Sequence, residues 1–158
     1  MASANDNTSL LDDSRVQWHA LLEHLSSLQP SDEAIGKLER LAIASQYALQ
    51  QLLHNPEWIP SLPGLTGFSL DSRIMHFEAD TRIDLDQVKA ALRRYRHRKM
   101  VEIIYLDVVE QAPVEQSLRR LSDLADQLVT TAQEACHLFH AGKHGQPVHE
   151  DGEPMQLN

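Results

Sequence analysis

The stretch Leu92–Asp107 reads LRRYRHRKMVEIIYLD, with five cations and a histidine in its first eight residues and an apolar run behind them. Guanidinium and ammonium groups at this density can hold phosphate or carboxylate oxygens, and arginine does so with a two-pronged fork. With Lys89, the segment holds six of the fourteen Lys and Arg residues, and the rest of the chain carries 8 cations against 23 anions. A chain of net charge −9 does not bind nucleic acid by default. Two readings of the segment stand open. It is a solvated helix face with a few internal ion pairs, or it is a basic surface for a phosphate-bearing or acidic partner. Helical spacing puts Lys99 and Glu102 on one face, where they can pair. Arg96 lies on a ridge with Met100, Ile103 and Asp107, which predicts a partly buried guanidinium paired with Glu102 or a neighbouring helix's carboxylate. Arg94 and Arg98 point elsewhere, and Arg93, Arg94 and Arg98 are the candidate anion or partner contacts.

Other reactive residue types lead to nothing catalytic. Cys136, His137, His140 and His144 are close in sequence, with His149 beyond, and zinc accepts such ligands. Neither HExxH nor CxxC is present, and Cys136 falls on the apolar side of its helix, so no metal site is expected. Asp12–Asp13 and Asp84 with Asp86 stand at helix starts, where capping accounts for them. Gly64 and Gly67 sit in a proline-rich loop and not between a strand and a helix, which excludes a dinucleotide fingerprint. There is no nucleophile elbow and no phosphate-binding loop of the Walker type. No catalytic residue is assigned.

The elements that carry these residues read as an all-α fold, a bundle of four long helices with a proline-rich loop. At 158 residues and 42% hydrophobic content the chain reads as one domain, or a fragment of a larger one, able to bury a core. One cysteine excludes an internal disulfide and fits a reducing compartment. No apolar run approaches the ~20 residues of a membrane span, and the N-terminus lacks a signal-peptide pattern, so a cytoplasmic protein is expected. The first helix should start at Thr8 or Ser9, after a disordered stretch over 1–7, and stop before Pro30. Ser31 caps a second helix whose stripe, Ile35, Leu38, Ala42, Leu49 and Leu53, runs to His54. Residues 56–70 form a loop anchored by Trp58 and Leu65, and 71–83 read as a short helix. Asp84, with Gln87, caps a third long helix reaching about Gln111. Pro113 opens the fourth. Its stripe of Val114, Leu118, Leu121, Ala125, Leu128, Ala132, Cys136 and Phe139 should pack along its full length until Gly142 stops it. Residues 142–158 then read as a linker that ends in a strand stub at 155–158, as in a chain cut within a longer one.

Three stretches, in this order, resemble a known family: LAIASQYALQQLLHNPEWIPSL, LRRYRHRKMVEIIYLDVV and VEQSLRRLSDLADQLVTTAQEAC. They are similar to the N-terminal region of the bacterial bifunctional glutamine synthetase adenylyltransferase/adenylyl-removing enzymes, over roughly Leu41–Asn158. Glu102 departs from that pattern, in which another arginine is usual. The resemblance implies that 8–141 is the helical extension of the adenylyl-removing half and that 142–158 leads to a nucleotidyltransferase domain. It implies a parent enzyme that removes AMP from a glutamine synthetase tyrosine by phosphorolysis and attaches it through a second domain. Magnesium and nucleotide belong to that parent, since the Gly-rich turn and Ser-Asp-x-Asp motif that hold them are absent here. Glutamine synthetase, a PII signal-transduction protein and the downstream catalytic domain are the implied partners. The rival reading is a stand-alone helical interaction module with a basic surface.

Overall fold

The computed structural model describes residues 5–26, 29–77 and 83–145, with side chains from residue 16 onward in those ranges. The described residues are helical and contain no strand. In chain order they form α1 (Asn5–Ser26), α2 (Asp32–Ala44), α3 (Gln46–His54), a 3-10 helix (Pro56–Ser61), α4 (Leu85–Val108) and α5 (Val114–His144). The expected strand stub at 155–158 and His149 lie outside the described residues. No described helix is long and apolar enough to cross a membrane.

The chain divides into two compact units. One joins Met1–Ser69 to His97–Leu121, the other Leu70–Arg96 to Ser122–Asn158. The first holds the larger core: Leu21 and Leu25 of α1, Leu38 and Leu41 of α2, Leu49 and Leu52 of α3, Trp58 and Ile59 of the 3-10 helix, and Val101, Tyr105 and Leu106 of α4. The second is built around Ile83, Val88 and Ala135, with Leu92, Leu138 and Phe139 packed against them.

Several boundaries differ from the sequence reading, each for a local reason. The helix expected from Ser31 to His54 is two helices. Ser45 takes an extended conformation, its N–H donates to the Leu41 carbonyl, and its Oγ accepts from the Ala48 N–H. One serine thus ends α2 and caps α3. Ser31 caps α2 as expected. The 56–70 loop starts with a 3-10 turn opened by Pro56, and Trp58 and Leu65 are its anchors as read. α1 begins at Asn5, so residues 5–7 are helical. Asp84 Oδ1 caps α4 by accepting from the Asp86 and Gln87 N–H groups. α4 stops at Val108, and Gln111 beyond it takes a left-handed φ of 52° while the Ala112 N–H donates to the Leu106 carbonyl. α5 runs through Gly142, which has open space around it. Gly145, at φ +82°, is the residue that turns the chain, as the left-handed region favours glycine.

The short helix expected over 71–83 does not form in its described part, 71–77. At Asp71 both backbone groups are claimed by side chains. Tyr95 Oη accepts from the Asp71 N–H at 2.9 Å and donates to Gln127 Oε1 at 2.8 Å. Gln127 Nε2 donates to the Asp71 carbonyl. α5 also faces differently than its pattern predicted. Val114, Leu118, Leu121, Ala125 and Cys136 are exposed, while Ser117, Leu124, Thr131 and Ala135 are buried. Polar anchors set this rotation. Ser117 Oγ donates to Asp107 Oδ1 at 3.0 Å in the first unit, and Gln127 is tied to Tyr95 in the second.

Inside the first core, Tyr105 is fully buried and its hydroxyl donates to Glu110 Oε1 at 3.3 Å. Lys37 Nζ lies 3.2 Å from the same oxygen, 3.3 Å from Glu33 Oε1, and donates to the Pro63 carbonyl. Burial raises the Tyr105 pKa above 10.0, and the Glu110 and Glu33 hydrogen bonds raise that of Lys37 above 10.5. Both groups hold their protons more tightly folded than unfolded. Their stabilising contribution is therefore complete below the unfolded pKa values and is lost as pH rises through the folded ones. Urea midpoints should hold level up to about pH 10 and fall above it. In Tyr105→Phe the alkaline fall should be shallower. A fall as steep as in the wild type would remove Tyr105 from this account.

Candidate functional site

α4 positions every cation of the basic segment, and its buried face decides which of them remain at the surface. Val88, Tyr95, Lys99, Glu102, Ile103 and Leu106 are buried along one side, as the periodicity predicted. Lys99 is 5% exposed, and an ammonium at that depth must be compensated. Its Nζ donates to Glu102 Oε2 and to the Ser69 carbonyl, both at 3.0 Å, and sits 5.8 Å from the centre of the Phe68 ring. The expected Lys99–Glu102 pair is thus the buried one.

Glu102 has a second partner. Arg98 Nε donates to Glu102 Oε1 at 3.3 Å, one helical turn away. Arg98 is half-exposed, but its charge is spent locally, as the i, i+4 spacing of Arg98 and Glu102 could have signalled. Arg96 corrects the sequence reading: it is exposed, and it takes neither Glu102 nor another acid among the described residues. The reason is angular. The two sides of Glu102 are filled by Lys99 and Arg98, three and four residues from it, whereas Arg96 is six residues away on another face of α4.

Arg93 and Arg94 are exposed. Lys89, Arg93 and Arg96 are spaced by four and three residues, so they line one face of α4, and all three are exposed. Lys89 reaches Asp86 at 3.1 Å in a fully solvated pair, which is worth little. Neither Arg93 nor Arg96 has an ion-pair partner among the described residues. The geometry brings together Lys89, Arg93 and Arg96 and leaves Arg98 committed elsewhere. This face can attract and hold anionic oxygens, but it contains no nucleophile or acid–base pair. His97, next in sequence to Arg96, is committed in the first unit: its Nδ1 lies 2.7 Å from the Tyr47 hydroxyl.

At the end of α5, the His140 and His144 rings stack with centroids 6.0 Å apart, and the Phe139 ring meets His140 edge-on. Among the described residues no group of three or more His, Cys, Asp or Glu is placed to hold a metal ion. Cys136 is exposed, contrary to the reading of it as an apolar-face residue, because α5 turns that stripe outward.

Residues 35–158 match the family model described as glutamate-ammonia ligase adenylyltransferase. The bifunctional glutamine synthetase adenylyltransferase/adenylyl-removing enzyme of Shewanella frigidimarina is 31% identical over 159 residues, 96% of this chain and 16% of that protein. Its counterpart in Shewanella loihica is 31% identical over 147 residues, 89% of this chain and 15% of that protein. The Pseudomonas aeruginosa counterpart is 26% identical over 138 residues, 80% of this chain and 14% of that protein. The chain thus spans about one sixth of the length of these curated relatives. No solved structure matches the chain.

The split of the basic segment into held and free cations can be read by melts. Lys99→Ala leaves Glu102 buried with one half-exposed partner and should cost about 3–5 kcal/mol. Arg93→Ala and Arg96→Ala should each stay within about 0.5 kcal/mol of the wild type. A loss at Arg96 comparable with that at Lys99 would show that the exposed arginines brace the fold.

Proposed function

The chain belongs to the glutamate-ammonia ligase adenylyltransferase family, and from that premise we propose that it forms the helical N-terminal extension of the adenylyl-removing half of such an enzyme. The observation that carries the reading is the match over 35–158, which takes in α3, α4 with the basic segment on it, and α5. In this reading the full-length protein removes AMP from a glutamine synthetase tyrosine by phosphorolysis. Inorganic phosphate attacks the adenylyl phosphorus, the tyrosine oxygen leaves with a proton, and ADP is released. A separate domain attaches AMP. Glutamine synthetase is then the protein substrate, and a PII signal-transduction protein is the regulatory partner.

The contribution of this chain is electrostatic and mechanical, not catalytic. Adenylyl transfer needs magnesium held by convergent carboxylates and a cradle for nucleotide phosphates. The described residues offer no such carboxylate group, so the metal and nucleotide are assigned to the remainder of the full-length protein. Adenylylated tyrosine, phosphate and ADP are all anionic. Arg93 and Arg96, with Lys89 beside them, supply a local positive potential on a chain of net charge −9. Such a field raises capture rates and is screened by salt. Arg94 is exposed next to this face.

Two measurements test the reading. The chain alone, mixed with adenylylated glutamine synthetase and phosphate, should release no ADP, and release would overturn the division of labour. In the Shewanella frigidimarina enzyme with its matched region replaced by this chain, Arg93→Ala with Arg96→Ala should raise the apparent KM for adenylylated glutamine synthetase at low salt. kcat should be unchanged, and the difference should fade as salt approaches about 1 M, where the Debye length is near 3 Å. A KM unaffected at low salt would remove the face from substrate capture.

A further inference from the structure

We propose that the outward ridge Val114, Leu118 and Leu121 at the start of α5 is an intramolecular docking face. Its occupant is an amphipathic helix from the part of the full-length protein outside the region this chain matches. The proposal rests on the family's longer architecture and not on the anion-capture role of α4.

Three observations carry it. First, the ridge is apolar by pattern and open by structure: Val114 is 65% exposed, Leu118 59% and Leu121 37%. The spacings of four and three residues are those of a helix seam, where side chains of one helix seat between those of another. Second, the orientation is not accidental slack. Ser117, on the neighbouring side of the same turn, is buried and its Oγ donates to Asp107 Oδ1 at 3.0 Å, so this is the side that α5 turns to its own unit, and the ridge lies beside it in solvent. Exposed Glu115 and Arg119 flank the ridge and give it a polar rim, the usual anatomy of a docking patch. Third, the relatives continue well beyond what this chain spans, which covers 16% of the Shewanella frigidimarina protein.

Size decides between a tethered partner and a second copy. Three aliphatic side chains fall well short of the roughly 800 Å² per partner that a stable complex of separate molecules buries. A partner in the same polypeptide sits at an effective concentration of about millimolar, so a small ridge suffices. An aliphatic helix face is the fitting occupant, because every exposed group on the ridge is aliphatic and none offers a hydrogen bond.

The test uses a Leu118→Cys variant in a Cys136→Ser background, since Cys136 is exposed and would react. Maleimide labelling is compared in the chain alone and in the Shewanella frigidimarina enzyme carrying this chain in place of its matched region. The expected result is rapid labelling of the chain alone and at least about tenfold slower labelling in the full-length protein. Leu118→Glu should leave the melting temperature of the chain alone unchanged and lower that of the full-length protein. If the replacement does not fold, the chain and the relative's remaining polypeptide are mixed as separate proteins, and Leu118→Glu must weaken their association. Equal labelling rates in an enzyme that still transfers adenylyl groups would overturn the docking face and leave the family reading intact. A dimer of the isolated chain that Leu118→Glu disperses would assign the ridge to a second copy and overturn the proposal as well.

Discussion

The buried ammonium of Lys99 is the constraint around which the basic segment is arranged. A charge at that depth demands an opposite charge and further hydrogen bonds, and Glu102 and the Ser69 carbonyl supply them. Glu102 can accept on both oxygens, and the second is taken by Arg98. One buried carboxylate therefore commits two of the six cations of the segment. Of the others, Lys89, Arg93 and Arg96 are exposed and fall on one face because α4 spaces them by about one turn each. At position 102 the chain carries the counter-ion of a buried lysine.

The same need for polar satisfaction shapes the segment between the 3-10 helix and α4. A chain without secondary structure must place its backbone N–H and C=O groups somewhere. In the first unit Lys37 takes the Pro63 carbonyl and Lys99 takes that of Ser69. In the second, Tyr95 and Gln127 take both polar groups of Asp71. These long side chains take backbone groups that a helix would have paired within itself. Such contacts also bind the loop to particular helices, so loop and helices hold one another in place.

α5 shows how polar anchors can outrank apolar pattern. Burying Val114, Leu118 and Leu121 would be favourable, yet the helix buries Ser117, Leu124, Thr131 and Ala135. Ser117 satisfies Asp107, and Gln127 satisfies Tyr95 and Asp71. Tyr95 is buried, and its hydroxyl would lose a partner if Gln127 turned away. A helix with two useful faces can serve its own unit with one and a further part of the polypeptide with the other.

Much of this was determined by the sequence itself. The all-α class, the caps at Ser31 and Asp84, the proline at the head of α5, the buried side of α4 and the Lys99–Glu102 pair all follow from local chemistry. In each case the cause lies within a few residues, in a cap, a fixed φ or a helical period, so it is written in the order of residues. The three-stretch resemblance likewise pointed to the family that the comparison over 35–158 establishes. Other features were decided only by tertiary structure. Ser45 breaks a helix that its neighbours' stripe would have continued, because the Ala48 N–H and the core both favour the turn there. Arg96 is exposed and Arg98 held because both oxygens of Glu102 are claimed from the Lys99 and Arg98 sides. The roll of α5 depends on Asp107 and Tyr95, ten and thirty-two residues from their partners. Periodicity locates an apolar face but not what will cover it, since burial is a property of what the rest of the chain brings alongside.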